Sequence, residues 1–297
     1  MADKGKIVLA YSGGLDTTVI LHWLAEQGYE VICYLLDIGQ QVEDLDEIGE
    51  RAKRNGASTY VAVDAREEFL QDYFLPILHA NCVYEGRYLL GTSIARPLIS
   101  KHHVRIAHEQ GANIVCHGAT GKGNDQVRFE LGYQALDADL EILAPWKTTE
   151  FINQFAAGRK TMLDYVEKHG LEAKASRSKP WSSDDNLLHI SYEAGVLEDP
   201  WVTAPEEIYE RMVHPTQAPD EVERFIIHWE AGVPVKVSSC VTKPGKFEDI
   251  DIEIAEPGET LAEGLLPVFE YVDEAAARNG VGSLGMVETR YVGMKSR

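Results

Sequence analysis

The 297-residue chain has no uninterrupted apolar run approaching 18 residues, so no helix in it is expected to span a bilayer. Its four cysteines, Cys33, Cys82, Cys116 and Cys240, lie far apart without a CxxC pair, and no Asn-x-Ser/Thr sequon occurs. Disulfides and structural zinc are therefore not expected, and a reducing, cytoplasmic compartment is. Basic residues are scarce: 28 Lys and Arg stand against 48 Asp and Glu, a formal net charge of -20. A body this acidic is not expected to bind nucleic acid, whose affinity comes from neutralising phosphates. Any phosphate-bearing ligand needs a locally positive site. There is no internal repeat and no low-complexity tract. The opening MADKGKIVLAYSGG sets only a short apolar run ahead of a glycine turn, unlike a secretory signal.

With 44% hydrophobic and 26% charged residues, the chain reads as globular and long enough for two domains. Its first half alternates apolar runs at 7–11, 31–38, 59–63 and 112–116 with helical patterns at about 16–27, 43–55, 93–110 and 125–136. That is α/β organisation, and runs without polar alternation predict parallel strands buried on both faces. A further helix over 159–169 ends at Gly170, and the Ser/Lys/Pro-rich EAKASRSKPWSSDD after it marks the expected boundary between domains 1–170 and 171–297. The second domain shows strand-like pieces near 222–229 and 233–241.

Between the first strand and its helix lies Ser12-Gly13-Gly14-Leu15-Asp16-Thr17-Thr18. Two glycines let the backbone turn sharply, and the N–H groups of the following helix then face an anion with the helix dipole behind them. The spacing fits neither a P-loop lysine motif nor G-x-G-x-x-G. Two readings stay open: a phosphate cradle, or an ordinary strand-to-helix turn with Asp16 in the first helical turn, where acids are favoured. The same choice recurs further on. In YLLGTSIARPL, Thr92 or Ser93 makes a good N-cap without any ligand. The glycine-rich HGATGKGNDQVRFE follows a buried strand, at the sheet edge where open α/β folds bind ligands. There Asn124 or Asp125 can open a helix that places Asn124 and Arg128 on one face. PWSSDDNLLHISYE is either a linker leading into a strand or part of a site at the boundary.

SGGLDTT resembles the signature of the ATP pyrophosphatases. Together with YLLGTSIARPL, HGATGKGNDQVRFE, PWSSDDNLLHISYE and VGMKSR, it makes the chain similar to argininosuccinate synthases from about Lys6 to Arg297. The resemblance implies an ATP pyrophosphatase-type nucleotide-binding domain followed by an incomplete α+β synthetase domain. It implies an ATP-dependent ligase of arginine biosynthesis and the urea cycle that joins L-citrulline to L-aspartate, with ATP as substrate accompanied by Mg2+. ATP is then held by Ala10, Tyr11, Ser12, Gly13, Gly14, Leu15, Asp16, Thr17, Thr18, the backbone near Leu36, and Gly118. Aspartate falls to Thr120, Asn124 and Asp125. Citrulline falls to Tyr88, Ser93, Asn124, Arg128, Ser182, Ser191 and Glu288, with Asp125 and Arg128 expected to carry the chemistry. No protein metal ligands, no membrane and no nucleic-acid partner are implied.

The departures gather near the end, where the family's GVGR-x-D-x-VENR is replaced by GVGSLGMVETR. The family continues past MKSR with a citrulline-contacting tyrosine and a tetramer-forming tail, and this sequence stops at Arg297. The expectation is a chain that keeps ATP and citrulline determinants but is impaired in turnover and in the family's homotetramer. Rival readings are another ATP pyrophosphatase, or a nucleotide-binding module without turnover.

Overall fold

The computed structural model describes residues 4–41, 44–121, 123–173, 181–193, 195–290 and 293–296. Lys122, residues 174–180 of the stretch expected at the boundary, and part of VGMKSR lie outside them. The chain groups into two units, one from Met1–Ala65 and Gly91–Lys179, the other from Arg66–Leu90 and Pro180–Arg297. The expected single stretch 1–170 is thus interrupted, with Arg66–Leu90 grouped in the second unit.

The first unit is built on a five-stranded, wholly parallel sheet in the order β3-β2-β1-β4-β5. Its strands are β1 (Lys6–Ala10), β2 (Glu30–Asp37), β3 (Thr59–Asp64), β4 (Ile114–Cys116) and β5 (Glu141–Leu143). Ile7, Val8 and Leu9 are wholly buried and six successive residues of β2 are buried, which is why these strands show no polar alternation. Helices α1 (Leu15–Glu26), α2 (Leu45–Arg54), α3 (Gly91–Gln110), α4 (Asn124–Leu136), α5 (Thr149–Gln154) and α6 (Arg159–His169) complete the unit. Helix α1 sinks Leu15, Val19, Ile20, Leu21, Trp23 and Leu24 into the core. Phe151, Phe155 and Tyr165 extend that core through edge and tilted ring contacts that begin at Trp23. Helix α2 is capped by Asp44, which accepts from Asp46 N.

One expectation fails here, and one strand was not foreseen. Helix α3 begins at Gly91, so Thr92 and Ser93 sit inside its first turn and neither is the N-cap. Strand β5 went unforeseen because three residues, Glu-Ile-Leu, are too short to show periodicity.

In the second unit, the segment 182–193 is a hairpin, not a linker: β6 (Ser182–Asn186) pairs antiparallel with β7 (His189–Glu193). Strands β8 (Phe225–Glu230), β9 (Val233–Phe247) and β10 (Ile250–Glu263) form an antiparallel sheet, and α7 (Leu265–Arg278) packs on β9. A last hairpin joins β11 (Val287–Arg290) to β12 (Gly293–Ser296). Arg66–Leu90 is held in this unit by Arg66 to Glu270, His79 to the Gly232 carbonyl, and Tyr84 to the Thr289 carbonyl.

Candidate active site

In the first unit the strand order reverses direction between β1 and β4, so the loops leaving these neighbouring strands diverge and open a crevice at the carboxyl edge of the sheet. Those loops are the two glycine-rich segments. The first, 11–14, is fixed from below by Tyr11 N donating to the Tyr34 carbonyl and from within by its hydroxyls. Ser12 Oγ lies 3.1 Å from Thr17 Oγ1, Gly14 N donates to Ser12 Oγ, and Tyr11 OH lies 3.3 Å from Thr18 Oγ1. Gly13 stands at φ +73°, a conformation that costs a side-chain-bearing residue about 1 to 2 kcal/mol. A Cβ there would come within 3.1 Å of Arg51 Nη2. A buried guanidinium therefore backs the loop, a basic group that the reading of the motif alone did not single out.

Asp16 lies in the first turn of α1, where Gly14 is the N-cap and no side chain caps the helix. Burial raises the Asp16 pKa, with Arg159 partly opposing. Leu36, the next-to-last residue of β2, lies at the same sheet edge, its carbonyl accepting from Gln40 Nε2.

The second loop, 117–123, approaches closely enough that Gly118 has no room to spare. A Cβ on it would lie 3.3 Å from both Ile20 Cδ1 and Thr17 Cγ2, so only glycine lets β4 abut the start of α1 unstrained. Thr120 is exposed in this loop, and Asn124 is the first residue of α4. Asp125, one residue further, is gripped by two arginines: Arg96 Nη2 donates to Oδ2 at 2.7 Å and Arg128 Nη1 to Oδ1 at 3.2 Å. Burial opposes the Asp125 charge, but Arg96 and Arg128 outweigh it and hold the carboxyl below its usual range. Arg128, expected to face a substrate carboxylate, is thus already paired to Asp125 in this structure. Arg96 lies inside the YLLGTSIARPL string but had no expected role, because its partner is 29 residues away. Ser93 is on the same helix, half-buried.

Behind the loop, burial pushes His117 down to about 4, with Glu130, 3.8 Å away, opposing only in part. At neutral pH this imidazole is uncharged. Lys147 donates to both oxygens of Glu130.

The remaining predicted residues gather in the second unit. Paired positions of an antiparallel hairpin share a face, so Ser182, Asp184, Asn186, His189, Ser191 and Glu193 project from the same side of β6 and β7. On that side the Tyr88 ring stacks on His189 with centroids 6.1 Å apart. The turn carrying Tyr88 is hooked to β11 by Tyr84 OH donating to the Thr289 carbonyl and Thr289 N donating to Glu85 Oε2. Its neighbour Glu288 is only 3% exposed. Tyr88, Ser191 and Glu288 are therefore all buried within one unit, while Ser182 lies open at the start of the hairpin.

Residues 6–172 match the family model of the arginosuccinate synthase N-terminal HUP domain, and residues 181–297 match that of the arginosuccinate synthase C-terminal domain. The chain is 48% identical over 294 residues to argininosuccinate synthase from Thermotoga petrophila, covering 99% of this chain and 68% of that protein. It is 46% identical over 295 residues to the Saccharomyces cerevisiae enzyme, covering 99% and 67%, and 44% identical over 297 residues to the human one, covering 100% and 68%.

Proposed function

Because the chain belongs to the argininosuccinate synthase family, we propose that it joins L-citrulline to L-aspartate in arginine biosynthesis, converting ATP to AMP and pyrophosphate. The observation that carries the reading is the pair of glycine-rich loops diverging at the switch point of a parallel sheet, with a carboxylate held between two arginines beside them.

A ureido carbon is a poor electrophile without a leaving group. Its oxygen therefore attacks the α-phosphate first, forming citrullyl-adenylate as pyrophosphate departs. The aspartate amine then adds to the activated carbon and AMP leaves with the bond to oxygen. Both steps demand positioning and charge stabilisation more than a protein nucleophile. The N–H groups at the start of α1, with Ser12, Thr17 and Thr18, suit the pyrophosphate, and Arg51 adds positive charge behind Gly13. Asp16, half-buried in the first turn of α1, is the carboxylate of the loop that would hold a magnesium ion accompanying the nucleotide, which would supply charge screening of the phosphates. Thr120, Asn124 and Asp125 serve aspartate. Citrulline is served by Tyr88, Ser93, Asn124, Arg128, Ser182, Ser191 and Glu288, with Arg128 suited to a carboxylate by its planar fork. The same reading places the enzyme in the cytoplasm and, where that cycle operates, in the urea cycle, with the family's homotetramer as its assembly.

The test is pyrophosphate release by the purified chain with Mg-ATP and citrulline, with and without aspartate. Citrulline-dependent release is expected. ATP binding without any release would leave a nucleotide-binding module in place of the synthetase.

A further inference from the structure

We propose that His22, Glu26 and His169 form a binding site for a divalent transition-metal ion of zinc type. The expectation of no zinc site came from the cysteine pattern, which says nothing about histidines brought together by folding. One donor from each of the three side chains falls within 4.8 Å of the others.

The site is built from two helix faces. His22 and Glu26 stand one turn apart on α1, and Tyr165 and His169 stand one turn apart on α6, so both pairs project toward the line where these helices pack. The two imidazoles address opposite oxygens of one carboxylate: His22 Nδ1 lies 3.8 Å from Glu26 Oε2, and His169 Nδ1 lies 3.8 Å from Glu26 Oε1. His169 is the last residue of α6, anchored by Gly170 in the left-handed conformation. Both histidines are 21% exposed, which leaves a path for an ion and a water ligand.

The Tyr165 hydroxyl now bridges these donors. It donates to Glu26 Oε2 at 2.7 Å and lies 2.8 Å from His22 Nδ1. Its single hydrogen goes to Glu26, so His22 Nδ1 carries a proton and donates to the Tyr165 oxygen. The bridge orders His22 and Glu26, and the ring of Tyr165 lies with its centroid 4.2 Å from that of His169. Metal binding at Nδ1 moves that proton to Nε2 and lets the hydroxyl swing aside, with no net change in charge on the ligands. A tetrahedral centre with bonds of about 2.05 Å sets its ligand atoms about 3.3 Å apart, within reach of side-chain rotations from the spacings seen. Two imidazole nitrogens and one carboxylate oxygen select a borderline ion over Mg2+ or Ca2+, which take oxygen shells. Neutral imidazoles are required, and burial holds His22 below its ordinary pKa, with Glu26 partly opposing. The consequence is a clamp between α1, whose first turn carries the phosphate loop, and α6.

The experiment titrates the metal-stripped full chain with Co2+ and then Zn2+. Expected are the visible absorption bands of four-coordinate Co2+, abolished by one equivalent of Zn2+, and a Zn2+-dependent rise in Tm. His22→Ala and His169→Ala should each weaken Zn2+ binding by at least about tenfold and remove the Tm rise. His108→Ala, a histidine paired with Asp137 elsewhere, should change neither. Tyr165→Phe removes the competing hydroxyl and should bind Zn2+ at least as tightly as the wild type. A six-coordinate Co2+ spectrum in the wild type, which needs no variant to fold, would overturn the proposal. So would Zn2+ affinity and stoichiometry unchanged in both histidine variants. Pyrophosphate release with Mg-ATP is read separately, so failure here leaves the proposed activity standing.

Discussion

Arg96→Met tests the electrostatics beside the second loop. The change keeps a long apolar stem near Phe129, over which the guanidinium lies at 5.7 Å, but removes the 2.7 Å bond to Asp125. The Arg96 side chain is 16% exposed and that of Asp125 29%, so solvent replaces the lost partner poorly. A hydrogen bond between charged groups in such a place contributes about 2 kcal/mol. For a unit of this size the loss lowers Tm by roughly 4 to 8 °C at pH 7. The pH dependence distinguishes this cause from lost packing. Asp125 has a depressed folded-state pKa, so the pair's contribution is complete above the unfolded value of about 4 and disappears as pH falls through the folded value. Wild type and variant should therefore differ at pH 7 and converge in acid, followed by urea denaturation across that range. In activity, the proposed role of Asp125 toward aspartate predicts a raised KM for aspartate, with citrulline-dependent pyrophosphate release less affected. A gap in stability that persists unchanged into acid would refute the electrostatic argument. An unchanged KM for aspartate would refute the functional one.

Burial pushes His103 down to about 4, between the Val8 carbonyl, to which Nε2–H donates, and Tyr133 OH, which donates to Nδ1. Its folded-state pKa lies below the unfolded 6.5, so stability present above pH 6.5 is lost as pH falls toward 4, by about 3 kcal/mol in all. Urea denaturation from pH 7 to 4.5 should show a steeper loss in the wild type than in His103→Gln. Gly13→Ala forces a Cβ at φ +73° against Arg51, and should cost about 1 to 2 kcal/mol in thermal denaturation and weaken ATP binding measured by calorimetry. Gly118→Val drives branched carbon into Ile20 and Thr17, and should cost about 1 to 3 kcal/mol and weaken ATP more than citrulline.

What was legible in the sequence was legible because it was local. β1 and β2 are buried on both faces, and their unbroken apolar runs announce that directly, while SGGLDTT draws meaning from its place between a strand and a helix. The end of helix α6 could be placed because Gly170 closes it in the left-handed conformation that helix stops favour. By contrast, only the start of β9 was legible, at 233–241: its end and β10 carry Lys-Pro-Gly and Pro-Gly sequences that read as turns, and although Ile250, Ile252 and Ile254 alternate with acids, all three are exposed, so the alternation marks no buried face. Their pairing is enforced across the ladder by partners such as Ile254 and Lys243, which lie next to each other only after folding.

The same distinction separates the site residues that could be found from those that could not. Asp125 and Arg128 sit three apart on one helix and were both named through the family resemblance, whereas Arg96 completes their cluster from 29 residues away on a helix whose own pattern offers only a capping explanation. Arg51 reaches the phosphate loop from the far end of α2, where its charge reads as ordinary solvated surface. His22 and Tyr165 meet across 143 residues of chain. In each case the missing information is the packing of one helix on another, which the buried faces fix only when both are present. Side chains of this kind are therefore found by asking which charges folding has buried.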